Sequence, residues 1–251
     1  MAENSETVTV KDLVEAGAHF GHQKSRWNPK MRRYIYEQRG GLYIIDLAKT
    51  MFQLRSSIDV VRDTVRNNKS ILFVGTKKQA KDVIRDAASA CGEYFVHERW
   101  LGGMLTNLST IRQSIKKLDR IEKKLASGTS GLTKKETSEL EKERDKLERN
   151  LGGIRAMRKP PGLVVVVDSN EEHLAVAEAR KLSIPVMALI DTNCNPDPID
   201  YVIPCNDDSL KSIKLVIGSL ADAVITEKNE RSIAKSQKAE QEQAAAETNN
   251  N

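Results

Sequence analysis

The sequence predicts an α/β protein: a doubly wound parallel sheet interrupted by an inserted antiparallel coiled-coil helical hairpin. Three observations carry that prediction. Short continuous apolar runs, such as Leu-Val-Val-Val-Val at 163–167, alternate with amphipathic stretches, and strands apolar on both faces belong in a sheet covered by helices on both sides. Between Leu108 and Ile154, apolar residues instead recur at three- and four-residue steps within a polar run, which describes narrow seams and not a core. At 251 residues the chain can bury a sizeable interior and fits one or two domains.

In chain order, Leu42–Asp46 (LYIID) reads as a strand and Leu47–Arg66 as the helix after it; Ile71–Gly75 (ILFVG) and Gln79–Ala90 repeat the pair. Leu108, Ile111, Ile115, Leu118, Ile121 and Leu125 then form the first seam. Ala126–Gly131 (ASGTSG) breaks it, and Thr133 with Glu136 has capping-box spacing. Leu140, Leu147, Leu151 and Ile154 carry a second seam, so two helices of about 20 residues, each about 30 Å long, fold back as an arm. The strand–helix rhythm returns with Leu163–Asp168, Glu172–Leu182, Val186–Asp191, a short Tyr201–Pro204 and a helix from Leu210 to Ile225. After Glu227 the chain turns polar and repetitive, which predicts a mobile tail whose Ala, Glu and Gln content suits transient helix. The expected organisation is an α/β domain over 1–108 and 154–228, the hairpin over 109–153, and a disordered tail over 229–251.

No run approaches the roughly 18 apolar residues a membrane span needs, and no apolar stretch follows a basic start. A soluble, unsecreted protein without a membrane partner is expected. Cys91, Cys194 and Cys205 are odd in number and lack C-x-x-C spacing, which suits a reducing compartment and buried thiols.

A doubly wound sheet raises the possibility of a phosphate- or nucleotide-binding enzyme. Val74–Gln79 (VGTKKQ) follows a strand and opens a helix, so its amides are placed to meet a phosphate. It matches neither G-x-x-x-x-G-K-S/T nor G-x-G-x-x-G. His19, His22, His97 and His173 offer general bases without a G-x-S-x-G elbow or comparable signature, and no catalytic residue is assigned. Asp191, Asp207 and Asp208 follow strand ends, where such sheets place ligands. With His22 they make a mixed nitrogen and oxygen set for a divalent ion, zinc or magnesium; helix capping is the competing use of Asp207 and Asp208.

Charge points elsewhere. The net charge of the whole chain is +5. Within Gly21–Gly40 alone, Lys24, Arg26, Lys30, Arg32, Arg33 and Arg39 oppose only Glu37, a balance equal to that of the entire protein. Trp27, Tyr34 and Tyr36 are interleaved with these cations, and Trp27-Asn28-Pro29-Lys30 reads as a turn. Cations neutralise phosphates, and flat rings stack on unpaired bases. Arg99–Asn107 (RWLGGMLTN) adds a cation and a ring beside Gly102 and Gly103, which let another backbone approach; a hinge at the hairpin root is the rival reading. A second pair, Gly152 and Gly153, sits at the return root beside Arg155, Arg158 and Lys159. A coiled-coil interaction module with incidental basic character is a third reading, disfavoured by the basic aromatic segment outside the hairpin.

The stretches AGAHFGHQKSRWNPKMRRYIY, FVGTKKQA, RWLGGMLTN and IPVMALIDTNCNPDPIDYVIPCNDD, with the hairpin between the glycine pairs, closely resemble the bacterial small-subunit ribosomal protein S2 family over roughly residues 8–226. The resemblance implies a Rossmann-like domain with a protruding coiled coil, a structural and non-enzymatic role in translation, and a cytoplasmic place in the small subunit between head and body. It implies contacts to small-subunit ribosomal RNA and to other ribosomal proteins, including docking of the S1 protein. It places Arg26, Trp27, Asn28, Lys30, Arg32 and Arg33, with Arg99, Trp100, Gly102, Gly103 and Asn107, near RNA; Lys24 joins them from the basic segment. It also implies a metal at positions matching His22, Asp191, Asp207 and Asp208. Before Asn206-Asp207-Asp208 the family pattern has a small residue, where this chain has Cys205.

Overall fold

A computed structural model describes residues 8–127 and 133–248. Its main sheet has five parallel strands: β4 (Ile71–Val74), β5 (Tyr94–Val96), β6 (Leu163–Val167), β7 (Val186–Ile190) and β8 (Tyr201–Pro204), in the order β5-β4-β6-β7-β8. Every residue of β4, β6 and β7 is buried, as their unbroken apolar runs require. Side chains alternate between two cores. Phe73, Val165 and Leu189 pack beneath α2 (Leu47–Arg66), α3 (Lys81–Cys91) and α7 (Leu210–Thr248). Leu72, Val164, Val166 and Ile190 pack on the opposite face with α6 (His173–Lys181) and the hairpin root. The doubly wound parallel architecture is as the sequence predicts. The three-residue β5 is too short to carry a sequence pattern of its own.

The first expected strand is placed differently. Leu42–Ile45 is β3 of a separate antiparallel sheet, with β1 (Phe20–Gln23) and β2 (Ile35–Arg39) on either side. Its residues alternate between buried and half-buried, the mark of a strand covered on one face only. Gly40 and Gly41, both at positive φ, make the β2–β3 turn, a glycine signal for a hairpin. This small sheet is fastened to the carboxyl edge of the main one: Thr192 accepts from the amide of His22 through its Oγ1 at 2.9 Å, and its carbonyl accepts from that of Asn28 at 2.8 Å. A Cβ on Gly21 would lie 2.7 Å from the Thr192 side chain and 2.9 Å from the Tyr43 carbonyl oxygen, so only glycine allows that approach.

The hairpin consists of α4 (Leu108–Ala126) and α5 (Lys134–Leu151), and Thr133 and Glu136 form the expected capping box. Most of the expected break lies outside the described residues. Ile111, Ile115, Leu118 and Ile121 are buried along α4, but only Leu151 is buried on α5. Ile111 and Ile115 belong to the second core of the domain. Arg155 at the return root pairs with Asp119 and Glu122, the latter at 2.6 Å. The domain therefore grips α4 as far as Glu122, well beyond residue 109.

The tail expected to be disordered over 229–251 is instead helical through Thr248, as a continuation of α7. Arg66 bonds Glu227 at 2.8 Å, Lys228 donates to the Cys91 carbonyl at 2.7 Å, and Arg231 donates to the Val65 carbonyl. These contacts anchor the first turns past Glu227, and Ala, Glu, Gln and Lys are good helix formers that extend it. Among the described residues, no helix is long and apolar enough to cross a membrane.

Candidate nucleic-acid interface

Loops at the carboxyl ends of β4, β6, β7 and β8 bring Lys77, Asp168, Asp191, Asp207 and Asp208 together. The Lys77 ammonium lies 3.0 Å from Asp168, 2.7 Å from Asp207 Oδ1 and 2.8 Å from Asp208 Oδ1. Asp207 is fully buried and its Oδ2 has no partner. Burial, with Asp168 and Asp191 nearby, raises its pKa to about 7 despite Lys77. The phosphate reading of the Val74–Gln79 loop meets a direct obstacle: the Thr76 amide already donates to the buried carboxylate of Glu172. Four neighbouring aspartates repel any phosphate further.

The four residues expected to hold a metal, His22, Asp191, Asp207 and Asp208, lie together at this edge. His22 Nδ1 lies 2.9 Å from Asp191 Oδ2, leaving Nε2 turned toward Asp208 Oδ2 at 3.5 Å. That hydrogen bond raises the pKa of His22 against the opposing effect of burial. His22, Asp207 and Asp208 present ligand atoms within 4.8 Å of one another. Asp191 fixes the orientation of the imidazole through Nδ1 and is not itself grouped with those atoms. Cys205 points away, fully buried with its sulfur 2.8 Å from Ser212 Oγ on α7, so it alters neither the donors nor their spacing.

The basic segment lies beside this edge. Lys24, Arg26, Lys30, Arg32, Arg33 and Arg39 are all exposed, Asn28 and Trp27 half-buried. A 3-10 turn over Pro29–Tyr34, capped by Asn28 Oδ1 on the Lys30 amide at 3.0 Å, sinks Met31 and Tyr34 into the protein and turns the arginines outward. Lys30 pairs with Asp197. Trp27 tilts on Tyr43 with ring centroids 4.9 Å apart, the Arg33 guanidinium stands over Tyr34, and Tyr36 is 72% exposed. Of the three interleaved aromatics, Tyr36 is the free ring and Tyr34 is a core residue.

The Arg99–Asn107 turn needs a correction. Trp100 is 6% exposed and its indole nitrogen bonds Glu178 at 3.1 Å, so it offers no stacking face. Gly103 has φ +89, which reserves the position for glycine, whereas a Cβ on Gly102 would meet nothing within 4 Å. Among the described residues nothing packs against that side of Gly102, and Arg99 and Asn107 beside it are exposed. Asn107 begins α4 without capping it, its Oδ1 accepting instead from the Thr110 hydroxyl at 2.9 Å.

Sequence reading also passed over Arg112, Lys116, Arg120, Lys123 and Lys124. All are exposed on α4, and none has an ion pair among the described residues. With 3.6 residues per turn they share one side of the helix, a three- and four-residue spacing of cations visible in the sequence but masked by attention to the apolar seam.

A family model described as ribosomal protein S2 matches residues 13–227. The chain belongs to the ribosomal protein S2 family. A small ribosomal subunit protein uS2 of Protochlamydia amoebophila is 64% identical over 251 residues, spanning 99% of this chain and 92% of that protein. The uS2 proteins of Chlamydia felis and Chlamydia caviae are 63% identical over 228 residues and 64% identical over 222, spanning 91% and 88% of this chain and 84% and 80% of their own lengths. Membership in the S2 family makes the chain a structural, non-enzymatic protein of the small ribosomal subunit.

Proposed function

We propose that the chain binds small-subunit ribosomal RNA through phosphate contacts from its basic segment and from the outer side of α4, in the cytoplasm, between the head and body of the subunit. The observation that carries this reading is the set of six exposed cations between Lys24 and Arg39, held on a short turn and a small sheet that are themselves tied to the main sheet. A backbone already held in place beneath its cations reduces the ordering cost of neutralising phosphates to that of the side chains. Docking of the S1 protein belongs to the same reading, with the hairpin as the reaching element. Sedimentation of tagged chain from a lysate tests it: comigration with small subunits that is abolished by ribonuclease supports RNA contact, and comigration unaffected by ribonuclease points to protein contacts alone.

The donor set at the carboxyl edge fits a divalent cation, because the buried Asp207 Oδ2 lacks a partner there and ligand atoms of His22, Asp207 and Asp208 lie within 4.8 Å of one another. His22 Nε2, Asp207 Oδ2 and Asp208 Oδ2 would hold the ion, with Lys77 retaining the Oδ1 atoms. When bound, such an ion would supply cross-linking charge, and these three residues would then tie β1 to the loop after β8 through it. Equilibrium dialysis with zinc tests the site, with binding expected for the parent and lost in His22→Ala.

A further inference from the structure

One carboxylate organises the whole Arg99–Asn107 turn. Glu178 Oε1 accepts from Trp100 Nε1 at 3.1 Å and the Gly103 amide at 2.7 Å. Its Oε2 accepts from the Leu105 amide, the Thr106 amide and the Thr106 hydroxyl, each at 3.0 Å. These donors lie in a segment with no strand or helix of its own. The N–H donors, led by that of Thr106, outweigh the effect of burial and hold Glu178 below the ordinary glutamate pKa, so the group is anionic at neutral pH and every donor is matched to a charge.

The arrangement sorts the turn into two sides. Trp100, Met104 and Leu105 are buried, while Arg99, Gly102, Thr106 and Asn107 are exposed. Glu178 sits on α6, whose Arg180 donates at 3.3 Å to the carbonyl of Asp197, the residue whose carboxylate pairs with Lys30 of the basic segment. One helix thus holds both cationic regions in place.

We propose that Glu178 is a positioning residue for RNA binding: it touches no RNA, but by tying Trp100, Gly103, Leu105 and Thr106 to α6 it holds Arg99 and the bare backbone of Gly102 in the arrangement that meets a phosphate chain. The inference rests on the RNA-binding reading above. A turn already ordered loses little freedom on binding, whereas a loose one must be ordered by the partner. Glutamine at 178 would keep one acceptor oxygen and aim an NH2 group at the remaining N–H donors, leaving part of the turn unpaired.

The test is a binding titration of the full chain with purified bacterial small-subunit ribosomal RNA, comparing the parent with Arg99→Ala, Glu178→Gln and the double variant. Each single change is expected to weaken binding by about tenfold, the scale of a lost charge-assisted contact. The double variant should bind no more weakly than Glu178→Gln alone, because contacts acting through one another do not add. A cooperative melting transition should remain. If the two losses multiply, or if Glu178→Gln lowers Tm with unchanged affinity, Glu178 is merely structural and the inference fails. If Arg99→Ala binds like the parent while Arg32→Ala with Arg33→Ala weakens, the inference fails and the RNA reading stands; if neither weakens, both fail. Should Glu178→Gln not fold, Thr106→Val, which removes one donor, replaces it: a loss of about threefold that vanishes in the Arg99→Ala background supports the proposal, and parental affinity overturns it.

Discussion

Replacing Lys77 by methionine removes the ammonium that pairs with three carboxylates, those of Asp168, Asp207 and Asp208, while keeping most of the side-chain volume. Its side chain is 18% exposed, and those of Asp168 and Asp207 are 6% and 0% exposed, so water does little to compensate. Deleting one partner of a buried ion pair costs about 3–5 kcal/mol. An upper bound comes from proton uptake: neutralising an aspartate of ordinary pKa 3.8 at pH 7 costs about 4 kcal/mol, and Asp207, already raised to about 7, takes up its proton with little cost. The main loss falls on Asp168, which burial would raise but Lys77 holds below its ordinary value. We expect a destabilisation of about 3–4 kcal/mol, or a Tm lower by roughly 10 °C for a chain of this size. The pH dependence has a definite sign. A depressed carboxylate pKa contributes stability above the unfolded value near 3.8, and that contribution is lost as the pH falls through the lower folded value. The gap between parent and Lys77→Met should therefore be widest near pH 7 and close on acidification. Thermal unfolding followed by circular dichroism from pH 7 down to pH 3 measures both. Equal Tm values at pH 7 would refute the argument that Lys77 holds this edge together.

Three further outcomes follow from the same packing. Gly153→Ala places a Cβ against the carbonyl oxygen and ring of Phe95 and should cost about 1–3 kcal/mol in urea unfolding, whereas Gly102→Val, with open space and no positive φ, should leave stability within about 0.5 kcal/mol of the parent. A Gly-Ser linker in place of residues 123–139 should keep a cooperative transition near the parental Tm, while one in place of 109–150 removes Ile111, Ile115 and the partners of Arg155 and should lower Tm by more than about 10 °C. Equal melting of the two deletions would show that the domain does not grip α4. Alanine at Arg112, Lys116 and Arg120 together should weaken binding to small-subunit ribosomal RNA without changing Tm; parental affinity would remove the outer side of α4 from the RNA contact.

Much of this was legible in the sequence because burial on both faces leaves an unbroken apolar run, and β4, β6 and β7 each carry one. Leu42–Ile45 was misplaced because Leu-Tyr-Ile-Ile is apolar at every position, so its alternation of burial shows only in the fold; the Gly40-Gly41 turn was the one local sign of a hairpin. The cations of the basic segment were readable because charge needs no tertiary partner to be counted. Trp100 was not, since an aromatic beside an arginine looks the same whether it faces solvent or a core. Glu178 and Lys77 acquire their meaning from partners more than 70 residues away, and no local spacing announces that. Asp191 stands out in the sequence as a carboxylate at a strand end, but that it meets Nδ1 of His22 is set by the fold alone.

The most direct test of the account is the salt dependence of binding to purified small-subunit ribosomal RNA, measured for the parent and for Arg32→Ala with Arg33→Ala. Each phosphate contact contributes about 0.9 to the slope of log K against log salt on duplex and about 0.7 on single strands. The paired substitution is therefore expected to lower affinity and to flatten the slope by about 1.4–1.8 units. A parental slope with parental affinity would contradict the claim that this segment meets the RNA backbone.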